Sequence, residues 1–271
     1  MEPTKQQQSS KTGDDRNKYI ENMTRKQLKE WRKRESTCEK LEKKYNAKIN
    51  SLDGAIDIIL PINEELTKKL LELCDSYTNN IVKIKELFEK AFKNGERIDV
   101  DYINEYGKTA LLYTSLYGHA EIVELLLKHG AKPNIQNNHG ETALIKASYY
   151  GHIAIVKLLL EYNADPHVKN KYGRTAVMWA SKNDNFKIVK LLLEYDVDIN
   201  VQDEDGNTAL TGACECESFE IVDLLLNNGA KLNLKNDRGE TALMIASNQD
   251  DIHTINIIYY HTAKSKTVTS T

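Results

Sequence analysis

A period of 33 residues runs through the chain and constrains its fold more than any other feature. A glycine recurs at this interval, and each one is followed two positions later by threonine and then alanine: Gly107, Gly140, Gly173, Gly206 and Gly239. Leucine triplets keep the same interval at 125–127, 158–160, 191–193 and 224–226, and a fifth copy is degraded to Ile257-Ile258-Tyr259. Self-similarity at a fixed period of roughly 20 to 50 residues is typical of repeat architectures.

The unit at 137–169 shows why the repeats should stack. Gly140 suits a tight turn with a positive φ, and the Thr142 hydroxyl can cap a helix that begins with small residues able to pack closely. The chain turns at Gly151-His152 into a second helix, where residues 155–160 are mostly apolar. One helical hairpin cannot bury that much apolar surface alone. We therefore predict an all-α solenoid in which each unit packs against both neighbours.

The pattern resembles the ankyrin repeat, a family of helix-turn-helix units joined by hairpin loops, over roughly residues 75–261. The residues that carry the resemblance are Gly118-His119, Gly151-His152, Ile122-Val123, Ile188-Val189, Gly130-Ala131, Gly229-Ala230, Asn134, Asn200 and Asn233. Two departures are systematic. The family proline is alanine in all five copies, and the family histidine is replaced by Leu112, Ile145, Met178, Thr211 and Met244. We expect packing to substitute for the hydrogen bonds of that histidine.

The repeat register predicts the organisation of the whole chain. The expected segments are 1–18 disordered, 19–60 a basic amphipathic helix and linker, 61–103 a degenerate N-terminal capping repeat, 104–136, 137–169, 170–202 and 203–235 ankyrin repeats, 236–261 a C-terminal capping repeat, and 262–271 a disordered tail. In the first cap, helices are expected at 66–77 and 81–92. In the last one, Thr254 and Asn256 are expected to break the leucine-rich face that a further repeat would cover.

Charge is distributed unevenly along the sequence. Residues 1–50 hold 14 Lys and Arg against 8 Asp and Glu, about +6, whereas the other 221 residues carry 23 against 32, about −9. An acidic body disfavours nucleic-acid binding. The predicted basic helix at 22–50 has two interpretations. In the first, it docks on the first repeat or self-associates. In the second, it contacts an anionic membrane or nucleic acid.

The sequence offers no assembled chemistry. It has no phosphate-binding loop, nucleophile elbow or His-Glu-x-x-His pair, so we predict no enzyme activity, no cofactor, no metal and no small-molecule substrate. Cys214-x-Cys216 lacks a second cysteine pair, and we expect Cys214 to be buried and Cys216 to be a surface thiol. His119 and His152 follow the repeat, which favours a structural role.

Location follows from weaker signals. Four cysteines, no secretory signal and no long apolar run predict an intracellular protein. A Lys-, Asn- and Ile-rich ankyrin chain is similar to those of intracellular bacteria or large viruses, and that resemblance implies delivery into a host cell.

The resemblance implies that this protein binds another protein through its hairpin tips and the exposed side of its first helices. Those positions are aromatic in the repeats that begin at Asn104, Asn137 and Asn170, and acidic in the next one. Aromatic and Arg side chains dominate protein interfaces. The predicted binding residues are Tyr106, Tyr113, Tyr117, Tyr149, Tyr150, Lys171, Tyr172, Arg174 and Trp179. The competing explanation is that tyrosine is simply common in a chain of this composition.

Overall fold

The computed structural model describes residues 60–268, and within them the chain forms twelve helices arranged as six antiparallel pairs. In chain order these are α1 Glu64–Cys74, α2 Ile81–Asn94, α3 Ala110–Tyr117, α4 Ala120–Lys128, α5 Ala143–Tyr149, α6 Ile153–Glu161, α7 Ala176–Lys182, α8 Phe186–Leu193, α9 Ala209–Glu215, α10 Phe219–Asn227, α11 Ala242–Asn248 and α12 Ile252–Val268. The odd-numbered first helices pack side by side, and so do the even-numbered second helices. The predicted all-α solenoid of stacked hairpins is confirmed for this part of the chain.

The recurring threonine begins each first helix from α3 onward. Thr109 has extended backbone angles, and its Oγ1 accepts a hydrogen bond from the Leu112 N–H at 3.2 Å. Thr142, Thr208 and Thr241 cap their helices in the same way. This side-chain oxygen satisfies one of the N–H groups that a helix start leaves without a partner.

The hairpin tips are built on an Asn or Asp three residues before each repeating glycine. Asn137 Oδ1 accepts hydrogen bonds from the N–H groups of His139 (2.8 Å) and Glu141 (3.0 Å), and the equivalent bonds form in the other four tips. Gly140 has φ 74°, and a Cβ there would lie 2.8 Å from the Lys171 nitrogen of the next tip. Glycine is therefore required both by its backbone angle and by the close approach of the neighbouring tip.

The core lies between the two layers of helices. The middle leucine of every triplet is completely buried: Leu126, Leu159, Leu192 and Leu225. Along the first helices a column of alanines is also fully buried, which lets neighbouring helices approach closely: Ala147, Ala180, Ala213 and Ala246. This arrangement explains why a single repeat could not stand alone.

Packing replaces the family histidine, as expected, at the interior positions. Leu112 and Ile145 are buried, whereas Met244 in the last repeat is 49 % exposed because no further unit covers it. The turns that join the two helices of the first two full repeats add hydrogen bonds between neighbouring units. His119 Nε2 bonds to the Ser76 carbonyl at 2.9 Å, and His152 Nε2 bonds to the Leu116 carbonyl at 3.2 Å. The structural role predicted for these two histidines is confirmed.

The ends differ from the expectation. Helix α1 ends at Cys74 rather than near residue 77, and α2 continues to Asn94. Helix α12 runs for 17 residues to Val268, so the prediction of a disordered tail was wrong for residues 262–268. Thr254, expected to give the last repeat a polar outer face, is fully buried on the inner side of its helix.

Two further points concern what lies outside the repeats. The predicted disorder at 1–18 and the basic helix at 22–50 fall outside the described residues. Among the helices of residues 60–268, none is long and apolar enough to cross a membrane.

Candidate functional site

Three aromatic side chains meet on the exposed side of α5 and α7, and we refer to Tyr149, Tyr150 and Trp179 as the aromatic cluster. The Tyr149 ring lies 4.7 Å from the Tyr150 ring and 4.9 Å from the Trp179 ring, with interplanar angles of 61° and 67°. Edge-to-face contacts of this kind are favourable beyond the area they bury. Tyr149 is 37 % exposed and Tyr150 50 % exposed, so the cluster remains accessible from solvent. The structure therefore brings three of the nine predicted binding residues together.

Trp179 forms the wall of a shallow recess between the third and fourth repeats. Its ring lies 5.1 Å from the guanidinium carbon of Arg174, and its Nε1 is buried with no hydrogen-bond partner among the described residues. Gly212, one period further along the chain, leaves the space beside the ring open, and Lys182 and Glu215 line the recess. An aromatic side chain held at a recess in this way suits an anchoring contact with a partner.

Arg174 is tied to the next repeat and is not free at the surface. Its Nε donates to Asp203 Oδ2 at 2.8 Å and its Nη2 donates to Asp205 Oδ2 at 2.9 Å. Burial by itself would lower the pKa of Arg174, but the hydrogen bond and charge of Asp203, with Asp205, raise the pKa above its usual value. The side chain is 24 % exposed. Arg174 therefore positions Trp179 and joins two hairpin tips, which differs from the partner contact predicted for it.

Two of the predicted tyrosines are committed to contacts inside the protein. Tyr113 is only 4 % exposed, and the Asn104 side-chain amide donates to its hydroxyl at 3.1 Å. The prediction that Tyr113 lies on the surface was wrong, because its position on the first helix faces the neighbouring repeat. Tyr117 is half-buried and donates to Asp75 Oδ1 at 3.2 Å, and burial, helped by Asp75, raises the pKa of its hydroxyl to about 12.

Three predicted residues stand on the hairpin tips, where they are accessible. Tyr106 is 62 % exposed, Tyr172 is 50 % exposed, and Lys171, directly before Tyr172 in the sequence, is also exposed. Their backbones are fixed by the tip geometry: the Lys171 N–H donates to the His139 carbonyl at 2.9 Å. The exposed members of the predicted set are thus Tyr149, Tyr150 and these tip residues, whereas Trp179 is half covered.

A row of carboxylates at the turns between helices was missed by the sequence reasoning. In the first two repeats this turn residue is glycine with a positive φ, but one period on it becomes Asp184, Glu217 and Asp250, with φ values of 54°, 56° and 56°. The signal was available, since the three residues continue the 33-residue spacing of Gly118 and Gly151. Residues other than glycine rarely adopt this backbone conformation.

The cysteines have the environments that the sequence predicts. Cys214 is buried, and burial raises the pKa of its thiol to about 12, so it is not a ready nucleophile or metal ligand. Cys216 is exposed, and its Sγ lies 2.7 Å from the Lys182 carbonyl oxygen. Across residues 60–268 there is no group of three or more His, Cys, Asp or Glu side chains placed to hold a metal ion.

The stacked hairpins and the exposed face of the first helices define a helical repeat protein of the kind that presents a binding surface on a rigid scaffold. A family model described as ankyrin repeats (3 copies) matches residues 63–170, 132–203, 162–236 and 195–269. The chain belongs to the ankyrin repeat family. No curated protein matches the chain.

Proposed function

We propose that this protein is a non-catalytic scaffold that holds a partner protein against the exposed first helices and hairpin tips of its repeats. Ankyrin repeats are generally protein–protein interaction modules. The observation that supports this role most directly is the aromatic cluster, which gathers three large side chains at an accessible point on the second and third full repeats.

The geometry favours binding energy concentrated at few positions. Tyr and Trp bury a large area while losing little side-chain entropy, and they dominate the positions where truncation weakens an interface. Tyr150 and Tyr172 are each half exposed, so they have area left to bury against a partner. The guanidinium group of Arg174 lies over the Trp179 ring and keeps the ring in place before a partner binds.

The test is capture of partners with the full chain and two matched variants. Tyr150→Ala/Trp179→Ala should lose partner proteins that the wild type retains. Because Trp179 also packs inside the protein, Tyr150→Ala/Tyr172→Ala serves as a second variant at more exposed positions.

The control removes tyrosines away from this face. Tyr195→Ala/Tyr259→Ala changes side chains that are 39 % and 59 % exposed, on the segment after α8 and on α12. The control should retain the partners. Equal capture by all four proteins would reject the proposed face.

An alternative function, a membrane- or nucleic-acid-tethered adaptor, rests on the basic segment at 22–50, which lies outside the described residues. Binding to anionic liposomes that is lost in high salt and on deletion of 22–50 would support tethering. The repeats would then serve only to position a client protein.

A further inference from the structure

One side of the last three repeats carries a net negative charge, which comes from the fourth and fifth repeats. The hairpin tip, first helix and following turn of these repeats span 170–185, 203–218 and 236–251, and together they contain ten Asp and Glu against four Lys and Arg, a formal net charge of −6. The corresponding segments of the first two full repeats, 104–119 and 137–152, are neutral. Within the three segments the net charge is +2 at 170–185, −5 at 203–218 and −3 at 236–251, so the negative charge begins in the fourth repeat, one period beyond Trp179.

The other side of the same repeats does not share this charge. The second helices and the loops that follow them, at 186–202, 219–235 and 252–268, contain six Lys and Arg against five Asp and Glu, a net charge of +1. The asymmetry is thus a property of the exposed first-helix face rather than of the whole body. A partner that approaches this face meets a directed negative field.

Most of these carboxylates are not neutralised within the protein. Four of the ten acids form salt bridges. Arg174 pairs with Asp203 and Asp205, Lys182 pairs with Glu215, and Arg238 pairs with Glu240. Among residues 60–268 the remaining six acids of this face have no salt-bridge partner: Asp184, Glu204, Glu217, Asp237, Asp250 and Asp251. All but Asp251 are exposed.

The unpaired acids form two rows on either side of the first helices. Glu204 and Asp237 stand at the hairpin tips, before α9 and α11 begin, whereas Glu217 and Asp250 stand at the turns that follow these helices. An open cleft of about 400 Å³ spans the third, fourth and fifth repeats, but its charged lining is ion-paired (Arg174 with Asp205, Lys182 with Glu215, Arg238 with Glu240), and none of these four unpaired acids lines it. An extended segment lying across the first helices would still have carboxylates on both sides.

We infer that the partner presents a Lys- and Arg-rich segment to the acidic rows, next to an aromatic or aliphatic side chain that packs on the aromatic cluster. This rests on the proposed protein-binding function and specifies the chemistry of the partner. The charge complementarity is specific to a cationic chain, because phosphate groups of nucleic acid or lipid would be repelled from the same surface. The order of the two features along the repeats sets the design of the ligand: an apolar anchor over the second and third full repeats, and positive charges over the fourth and fifth.

The experiment uses random 16-residue peptides displayed on phage, selected on the full chain and on two charge variants. The acid-face variant, Glu204→Gln/Glu217→Gln/Asp237→Asn/Asp250→Asn, removes four unpaired charges while keeping side-chain size. The control, Glu121→Gln/Glu194→Gln/Asp196→Asn/Glu220→Gln, removes four exposed charges from the second helices and outer loops. Circular dichroism verifies that both variants fold, and Glu204→Gln/Asp237→Asn alone is used if the turn substitutions disturb folding.

The expected result is a class of basic peptides with at least one aromatic or aliphatic residue, recovered equally on the wild type and the control. Recovery on the acid-face variant should fall by about tenfold or more, and the difference should shrink in 0.5 M salt. Recovery of the same peptides on the acid-face variant, or the absence of a basic class, would overturn this inference. The proposed function is tested separately, since the Tyr150 and Tyr172 variant bears all its acidic residues.

Discussion

The ion pair between Arg174 and Asp203 joins the third and fourth hairpin tips and gives a testable prediction. The other repeats serve as a comparison for this pair. The Asp203 side chain is 4 % exposed. Its Oδ1 accepts hydrogen bonds from two backbone N–H groups, and its Oδ2 accepts a hydrogen bond from the Arg174 Nε. In Arg174→Met the carboxylate keeps its charge and loses the only side-chain donor to Oδ2 among residues 60–268. Every other tip uses Asn at this position: Asn104, Asn137, Asn170 and Asn236.

The magnitude follows from burial. Removing one member of a fully buried pair costs about 3 to 5 kcal/mol, whereas an exposed pair is worth about 0 to 1 kcal/mol. Arg174 is 24 % exposed and its second partner, Asp205, is 68 % exposed, so only the bond to Asp203 approaches the buried case. We expect Arg174→Met to lower the free energy of unfolding by about 2 to 3 kcal/mol.

Asparagine at position 203 should restore much of that loss. Asp203→Asn keeps the Oδ1 acceptor that holds the tip and removes the charge left without a partner. The double variant Arg174→Met/Asp203→Asn should therefore be about 1 to 2 kcal/mol more stable than Arg174→Met.

Urea unfolding at pH 7, followed by circular dichroism at 222 nm, measures all four proteins of this cycle. Arg174→Met within about 0.5 kcal/mol of the wild type would show that the pair contributes no more than an exposed one. A double variant less stable than Arg174→Met would refute the argument that the buried charge is the cause.

Three further changes test packing, backbone conformation and protonation. Leu192→Ala should lower the free energy of unfolding by about 2 to 5 kcal/mol, because this side chain is fully buried on α8; a loss below about 0.5 kcal/mol in urea would contradict its placement. Glu217→Gly should raise stability by about 0.5 to 1 kcal/mol by relieving a φ of 56°, and a lower melting temperature would argue against strain at this turn. The His129 ring stacks on Phe88 with centroids 4.0 Å apart, and burial lowers the pKa of the imidazole. Because folding favours the neutral imidazole, its contribution to stability should be present above pH 6.5 and decline as the pH falls below that value. His129→Gln should weaken this pH dependence of the free energy of unfolding. Identical pH profiles for the variant and the wild type would contradict the prediction.

The sequence predicted the parts of the fold that depend on periodic local chemistry. Thr109 and Thr142 cap helices because a hydroxyl before an apolar run does so whatever surrounds it. Leu126 and Leu159 are buried because the triplet recurs in four successive repeats, each of which packs against its neighbours. Helix positions and core positions could therefore be derived without any knowledge of tertiary contacts.

The site was harder to predict, since exposure depends on the neighbouring repeat. Tyr113 and Trp179 occupy the same place in their repeats, yet Tyr113 is buried while Trp179 is only half covered, with Gly212 leaving space beside it. Arg174 is tied down by acids 29 and 31 residues further along the chain, a pairing that the sequence of one repeat does not reveal. Thr254 is buried because its helix turns that side inward, although a threonine there suggests a polar surface.

Hydroxyl-radical footprinting of the full chain with its captured partner tests the central claim most directly, because Tyr and Trp side chains report their own exposure. Tyr150, Tyr172 and Trp179 should lose reactivity on binding, while Tyr195 and Tyr259 should react as in the free protein. Protection of Tyr195 or Tyr259 with Tyr150 and Tyr172 unchanged would place the partner elsewhere and contradict the account.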